Sequence, residues 1–165
     1  MNAKQKERRQ RGEDFQLEIM KSWRLVPNVW TMVIKDGGGG ARPADRIILT
    51  EPINILAELK RTKSRRFELS YLRPNQIQGL IDFDKVIERN VGLVFVSFHD
   101  PDEGLDKAYA FRLAEALLYM REKGTLYITL DELESNRIVC AELPRNKSAT
   151  NTYDLKGVIE CFKSS

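Results

Sequence analysis

Histidine and cysteine are almost missing: in 165 residues there is one histidine, His99, and two cysteines, Cys140 and Cys161. A structural zinc site draws its four ligands chiefly from these two residue types, so Cys2His2 fingers, HExxH proteases and two-histidine nucleases are excluded. The cysteines lack CxxC spacing and cannot form a disulfide framework, which points to the reducing cytosol. No apolar run approaches the ~18 residues of a membrane span. Met1 to Arg11 is polar and basic, unlike a secretory leader. The glycine run Gly37 to Gly40 is followed by Pro43 and a strand-like segment rather than by a helix, so it reads as a flexible turn and not as a phosphate-binding loop. What remains for chemistry is carboxylates, lysine, hydroxyls or a hard metal ion.

The composition, 42% hydrophobic and 31% charged, is that of a globular chain able to bury a core. We expect a basic arm over 1–11 that is frayed or disordered, and a single domain over 12–165. The net charge of +3 conceals an asymmetry. Residues 1–75 carry 16 Lys and Arg against 9 Asp and Glu, a net +7, while residues 76–165 carry 11 against 15, a net −4. The basic part is a candidate polyanion face.

Hydrophobic spacing predicts a helix from residue 4 to about 25, with Phe15, Ile19, Trp23 and Val26 on one face, and a strand from Val29 to Lys35. Two apolar runs, Ala44 to Leu49 and Ile53 to Leu59, flank a Thr-Glu-Pro turn and predict a β-hairpin. A helix from Pro74 to about Arg89 and a buried strand from Val91 to Phe98 follow. Beyond them we expect a strand at Ala108 to Phe111, a helix from Arg112 to Lys123 closed by Gly124, strands near Leu126 to Thr129 and Ile138 to Ala141, and a helix from Asp154 to Phe162. The order αβββαβ with a further α/β tail is that of a mixed-sheet α/β domain. Trp23 and Trp30 are expected in the core, and His99 in an exposed turn.

The hairpin holds the informative side chains. Alternate residues of a strand share a face, so Glu58 and Lys60 point together while Ala57 and Leu59 point away. A turn centred on Glu51 and Pro52 pairs Leu49 with Asn54 and Ile47 with Leu56, and sets Asp45 opposite Glu58. Cross-strand carboxylates ~5 Å apart at Cβ can share a divalent ion, Mg²⁺ or Mn²⁺, with Lys60 positioning water or neutralising a phosphate. The D/E-x-K triplet alone says little; Asp154-Leu155-Lys156 is another, without an apolar strand before it. By residue type alone, Glu58 and Lys60 are equally an exposed salt bridge at a strand end.

The combination of helix, strand, P-x-D (Pro43, Asp45) and E-x-K (Glu58, Lys60) resembles the PD-(D/E)XK nuclease superfamily. Residues 12–98 resemble the RecU-type Holliday-junction resolvases in particular. The matching positions are Gly12, Phe15, Ile19, Ser22, Pro43, Asp45, Glu58, Lys60, Thr62, Lys63, Phe67, Leu69, Gln76, Ile77, Gly92 and Phe95. The resemblance implies a restriction-endonuclease-like mixed central sheet flanked by helices. It also implies a Mg²⁺-dependent (or Mn²⁺-dependent) endonuclease of branched DNA, acting as a homodimer in recombination and repair in a bacterial cell or phage-infected host. Asp45 and Glu58 would bind the metal, Lys60 would assist the attacking water, and Gln76 would orient water or phosphate.

Two departures stand out. The family's glutamate after the first-helix aromatic is Gln16 here, and Glu13, one turn earlier, is the candidate substitute as a metal ligand. The long stalk between the first two strands is reduced to Asp36 to Arg42. The basic window supplies the candidate DNA contacts Arg61, Thr62, Lys63, Arg65, Arg66 and, further on, Arg73. Two alternatives stay open at this point: a nuclease of the same fold acting on other DNA, and a catalytically silent DNA-binding module.

Overall fold

The computed structural model describes residues 1–35 and 42–163; the glycine run expected as a flexible turn lies outside them. Helix α1 (Ala3–Trp23) leads into β1 (Trp30–Val33), then β2 (Arg46–Leu49) and β3 (Asn54–Thr62). Next come β4 (Arg66–Glu68), α2 (Pro74–Val86), β5 (Asn90–Asp100), β6 (Leu105–Arg112) and α3 (Leu113–Lys123). The chain ends with β7 (Tyr127–Thr129), α4 (Leu130–Glu134), β8 (Cys140–Glu142) and α5 (Lys156–Phe162). Six strands form one mixed sheet in the order β1-β2-β3-β5-β6-β8, with β3 and β5 parallel and the other neighbours antiparallel. Helices cover both faces, the expected α/β architecture.

The sheet's centre follows from composition. Parallel strands are buried on both faces and therefore read as continuous apolar runs; β5 is buried from Asn90 through Phe98. In β3 the alternation sorts the side chains. Ile55, Ala57 and Leu59 join Phe15, Ile19 and Trp23 of α1 and Val158 and Phe162 of α5. Leu56 joins Leu80 of α2 and Leu113 and Ala116 of α3 on the opposite face. Glu58 and Lys60 share that even-numbered face, beside Val94 and Val96 of the same core.

Two glycines permit the close approach of α2. A Cβ on Gly92 would come within 2.4 Å of the Leu80 carbonyl oxygen, and one on Gly79 within 2.4 Å of the Pro43 Cβ. The helix therefore lies directly on β5 and against the segment that carries Asp45. Its first turn is thereby brought to the end of β3.

Several expectations are corrected. The basic arm over 1–11 continues α1, started by Asn2, whose side chain accepts from the Gln5 backbone N–H at 2.9 Å while Gln5 answers at 3.0 Å. Trp30 is 55% exposed because β1 is the sheet's edge and this side chain lies beyond the helix cover. His99 lies within β5, which runs two residues past the predicted end, rather than in a turn. The strand expected near Leu126 to Thr129 is present as β7 and pairs with β4 in a separate two-stranded sheet. Neither β4 nor α4 was expected, although Thr129 and Glu132 carry the capping-box spacing and do form that box.

Candidate metal and nucleic-acid site

The β2–β3 ladder has the predicted register, Leu49 with Asn54 and Ile47 with Leu56, up to Arg46 with Ala57. One residue before β2, Asp45 leaves the ladder: its backbone N–H donates to the Ala57 carbonyl at 3.0 Å, and its Oδ2 accepts from the Leu59 backbone N–H at 2.8 Å. That last bond fixes the carboxylate against the strand bearing Glu58. Both acids are buried, Asp45 4% and Glu58 1% exposed, and both line a cavity of about 770 Å³ with Lys60 and Gln76.

Glu58 is held on one oxygen and Asp45 on both. Glu58 Oε1 accepts from Gln76 Nε2 at 2.8 Å and pairs with Lys60 Nζ at 3.0 Å. Gln76 is set by the start of α2, where its Oε1 accepts from the Arg73 backbone N–H at 2.9 Å. Asp45 Oδ1 pairs with an Arg42 guanidinium nitrogen at 2.8 Å and accepts a long 3.4 Å contact from Gln16 Nε2. Glu58 Oε2 is buried and has no hydrogen-bond partner among the described residues. A buried carboxylate oxygen without a donor is expensive unless it is protonated or meets a cation. Burial, followed by the charge of Asp45, pushes the Glu58 carboxyl up to about 7, against the opposing pull of Lys60 and Arg42.

The open oxygen, its neighbouring carboxylate and room for water fit a hard divalent ion. Magnesium keeps several waters and needs only one or two carboxylates from the protein. Among the described residues no cluster of three or more acidic, histidine or cysteine ligands exists. Glu13 does not join the site: it forms an exposed ion pair with Arg9 at 2.8 Å, and the residue of α1 that reaches Asp45 is Gln16.

No family model matches the sequence, and no curated protein resembles it significantly in sequence. Among solved structures the chain is similar to Hjc of Archaeoglobus fulgidus, a Holliday junction resolvase from an archaeal hyperthermophile. The likeness covers 64% of this chain and 78% of that one, with 14% identity and a TM-score of 0.45.

The candidate DNA contacts separate into three groups. Arg73 and Thr62 line the cavity, Thr62 with its Oγ1 3.3 Å from the Tyr71 hydroxyl. Lys63, Arg65 and Arg66 continue outward along the turn into β4. Lys63 pairs with Glu7 at 2.9 Å, and Arg66 pairs with Glu68 at 2.8 Å and stacks over Tyr127. Arg61 also borders the cavity, but its side chain turns away from the carboxylate pair. As an odd-numbered residue of β3 it points to the α1 face, and its side chain is only 3% exposed. There it pairs with Glu18, donates to Ser97 Oγ at 2.9 Å and to the Tyr153 hydroxyl at 3.1 Å, and lies over the Phe15 ring.

Sequence reasoning gave Gly12 and Gln16 only as family-matched positions and did not place them, or Arg8, Arg42, Tyr71 and Asn75, in the cavity. A signal existed for three of them: positions 8, 12 and 16 repeat at four residues and so share one helical stripe, and the side chain missing at Gly12 opens room between the other two. Arg42 is the i,i+3 partner of Asp45. Tyr71 and Asn75 carry no such pattern.

Proposed function

We propose that this protein is a Mg²⁺-dependent (or Mn²⁺-dependent) structure-specific DNA endonuclease that resolves four-way junctions as a homodimer, symmetric resolution requiring two paired cuts. The observation that carries the reading is the pair Asp45 and Glu58, drawn together in a cavity with Lys60 and Gln76, with one Glu58 oxygen buried and unpartnered. A bound divalent ion would supply Lewis acidity toward the scissile phosphate and lower the pKa of water. Asp45 and Glu58 would hold it. Lys60, kept at 3.0 Å from Glu58, is placed to neutralise charge developing on the phosphate. Gln76 holds Glu58 by its first oxygen and leaves the second unpartnered among the described residues.

The surroundings favour a polyanion. Arg8, Arg42 and Arg73 ring the two carboxylates, so the rim is cationic while its floor is acidic. The first three turns of α1 extend this basic rim, Lys4 to Arg11 being exposed for the most part along a continuous helix. The carboxy-terminal half contributes support, since β7 pairs with β4 directly after the basic turn.

A second reading, a DNA-binding module without catalysis, is favoured by one observation: the residue of α1 that approaches Asp45 is an amide, Gln16, and not a carboxylate. Labelled four-way junction and matched linear duplex, incubated with Mg²⁺ or with EDTA, separate the possibilities. The enzyme reading expects Mg²⁺-dependent junction cleavage that Lys60→Ala abolishes while binding persists. An uncut junction at every metal concentration refutes it, and equal cutting of linear duplex refutes junction selectivity, leaving a nuclease for other DNA.

A further inference from the structure

We propose that Gly12 marks where the DNA backbone crosses α1: the sugar-phosphate chain of the cleaved strand lies directly against the helix there, between Arg8 and Gln16, and the missing side chain keeps that path open. The inference rests on the DNA-endonuclease reading above.

Neither the packing nor the backbone of the protein requires this glycine. It stands near the middle of the 21-residue α1, where glycine loses more backbone freedom on folding than alanine would and weakens the helix. A Cβ built on Gly12 meets no atom within 4 Å, whereas one on Gly79 or Gly92 meets Pro43 Cβ or the Leu80 carbonyl oxygen at 2.4 Å. No left-handed backbone calls for it either, since the described glycines with positive φ are Gly104 and Gly124. Gly157 is alike in having no such neighbour, but it is exposed in the first turn of α5 and does not line the cavity.

The place of Gly12 supplies the reason. It faces the cavity of about 770 Å³ that holds Asp45, Glu58 and Lys60, on the α1 wall formed by residues 8, 12 and 16, while Tyr71 and Arg73 also line that cavity. One end of this stripe is tied to the acids by the 3.4 Å contact of Gln16 Nε2 with Asp45 Oδ1, and the other ends in the exposed cation Arg8. About 12 Å of helix separates the two ends, with Gly12 midway. A strand whose scissile phosphate sits at Asp45, Glu58 and Lys60 and whose neighbouring phosphate meets Arg8 has to pass over this point. A helix admits a polymer backbone so closely only where a side chain is missing, and close approach to a ligand is one of the uses that offsets the cost of glycine.

Gly12→Ala and Gly12→Leu both favour the helix and fill the path by different volumes, so stability and DNA affinity should move in opposite directions. Melting, Mn²⁺ calorimetry and junction-DNA anisotropy in Mn²⁺ are measured in a Lys60→Ala parent, with Gly157→Ala as the control glycine. Gly12→Ala should raise Tm by about 2–4 °C. Junction affinity should fall about fivefold in Gly12→Ala and about a hundredfold in Gly12→Leu, the range of steric overpacking, and stay at the parent's value in Gly157→Ala. Mn²⁺ binding without DNA should be the same in all of them. Parental junction affinity in Gly12→Leu overturns the inference, as does a fall in Tm in Gly12→Ala, which would show that the glycine serves the fold. An equal loss of affinity in Gly12→Ala and Gly12→Leu identifies a helix hinge instead of a contact, and Mn²⁺ binding lost in step with DNA affinity identifies a disturbed carboxylate pair; both refute the inference. If the parent binds neither junction nor linear duplex, the endonuclease reading itself fails and takes the inference with it.

Discussion

Glu58→Gln should stabilise the metal-free protein, and by an amount that depends on pH. Burial places the Glu58 carboxyl at about 7, against an ordinary value of 4.5. The folded state therefore binds a proton that the unfolded state releases, and the sign follows. Stability from this group is fully present below about pH 4.5, declines as the pH rises toward 7, and is lost above it. The displacement corresponds to about 3 kcal/mol of penalty on the ionised folded form, at order-of-magnitude precision. Glutamine keeps the shape and an acceptor for Lys60 and Gln76 but has no charge to strand. At pH 8 the variant should gain up to about 3 kcal/mol over the wild type, a shift in urea midpoint of about 1–2 M; at pH 4 the gain should vanish. Millimolar Mg²⁺ should stabilise the wild type at pH 8 and leave the variant unmoved, since ligand binding to the folded state alone raises its stability. A variant no more stable than the wild type at pH 8, or one equally stabilised at both pH values, would refute the account of Glu58 as a buried charge awaiting a cation.

Other perturbations follow from the same geometry. Gln16→Glu sets a third carboxylate beside Asp45 and should tighten Mn²⁺ binding in calorimetry while lowering the metal-free urea midpoint, because a like charge is added to an acidic floor. Gly92→Ala drives a methyl into the Leu80 carbonyl and should destabilise by about 1–3 kcal/mol, read as a fall in Tm of several degrees. Arg61→Met leaves Glu18 facing the Arg145 guanidinium alone and removes donors to Ser97 and Tyr153; a loss of about 3–5 kcal/mol is expected, with an unchanged salt slope of DNA binding. Arg8→Ala should instead reduce that salt slope by about one counterion with little effect on Tm.

The contrast between Arg61 and its neighbours shows what a sequence discloses and what it withholds. Strand periodicity already put Glu58 and Lys60 on one face and Arg61 on the other, because that follows from the pleat alone. The hairpin register was equally legible, since a short turn between apolar runs has few alternatives. What periodicity does not convey is which helix covers each face at the end of a strand. That is set by contacts across long sequence separations: α1 supplies Glu18 and the loop before α5 supplies Tyr153, from 43 residues before Arg61 and 92 after it. A run of basic residues read as one surface was therefore divided by the fold, one arginine locked inside and the rest left at the rim.

The same limit explains the rest of the site. Glu13 and Gln16 lie on nearly the same helical face, and only the position of α1 against β3 decides that Gln16 meets Asp45 while Glu13 turns to Arg9. That position is set by Phe15, Ile19 and Trp23 fitting over Ile55, Ala57 and Leu59, an apolar interface with no chemistry of its own. Substituting Gln16 for a carboxylate thus changes the charge of the floor without changing the fold beneath it. With Gln16 neutral, the floor holds two acids, Asp45 paired with Arg42 and Glu58 with Lys60, and one Glu58 oxygen stays without a partner among the described residues.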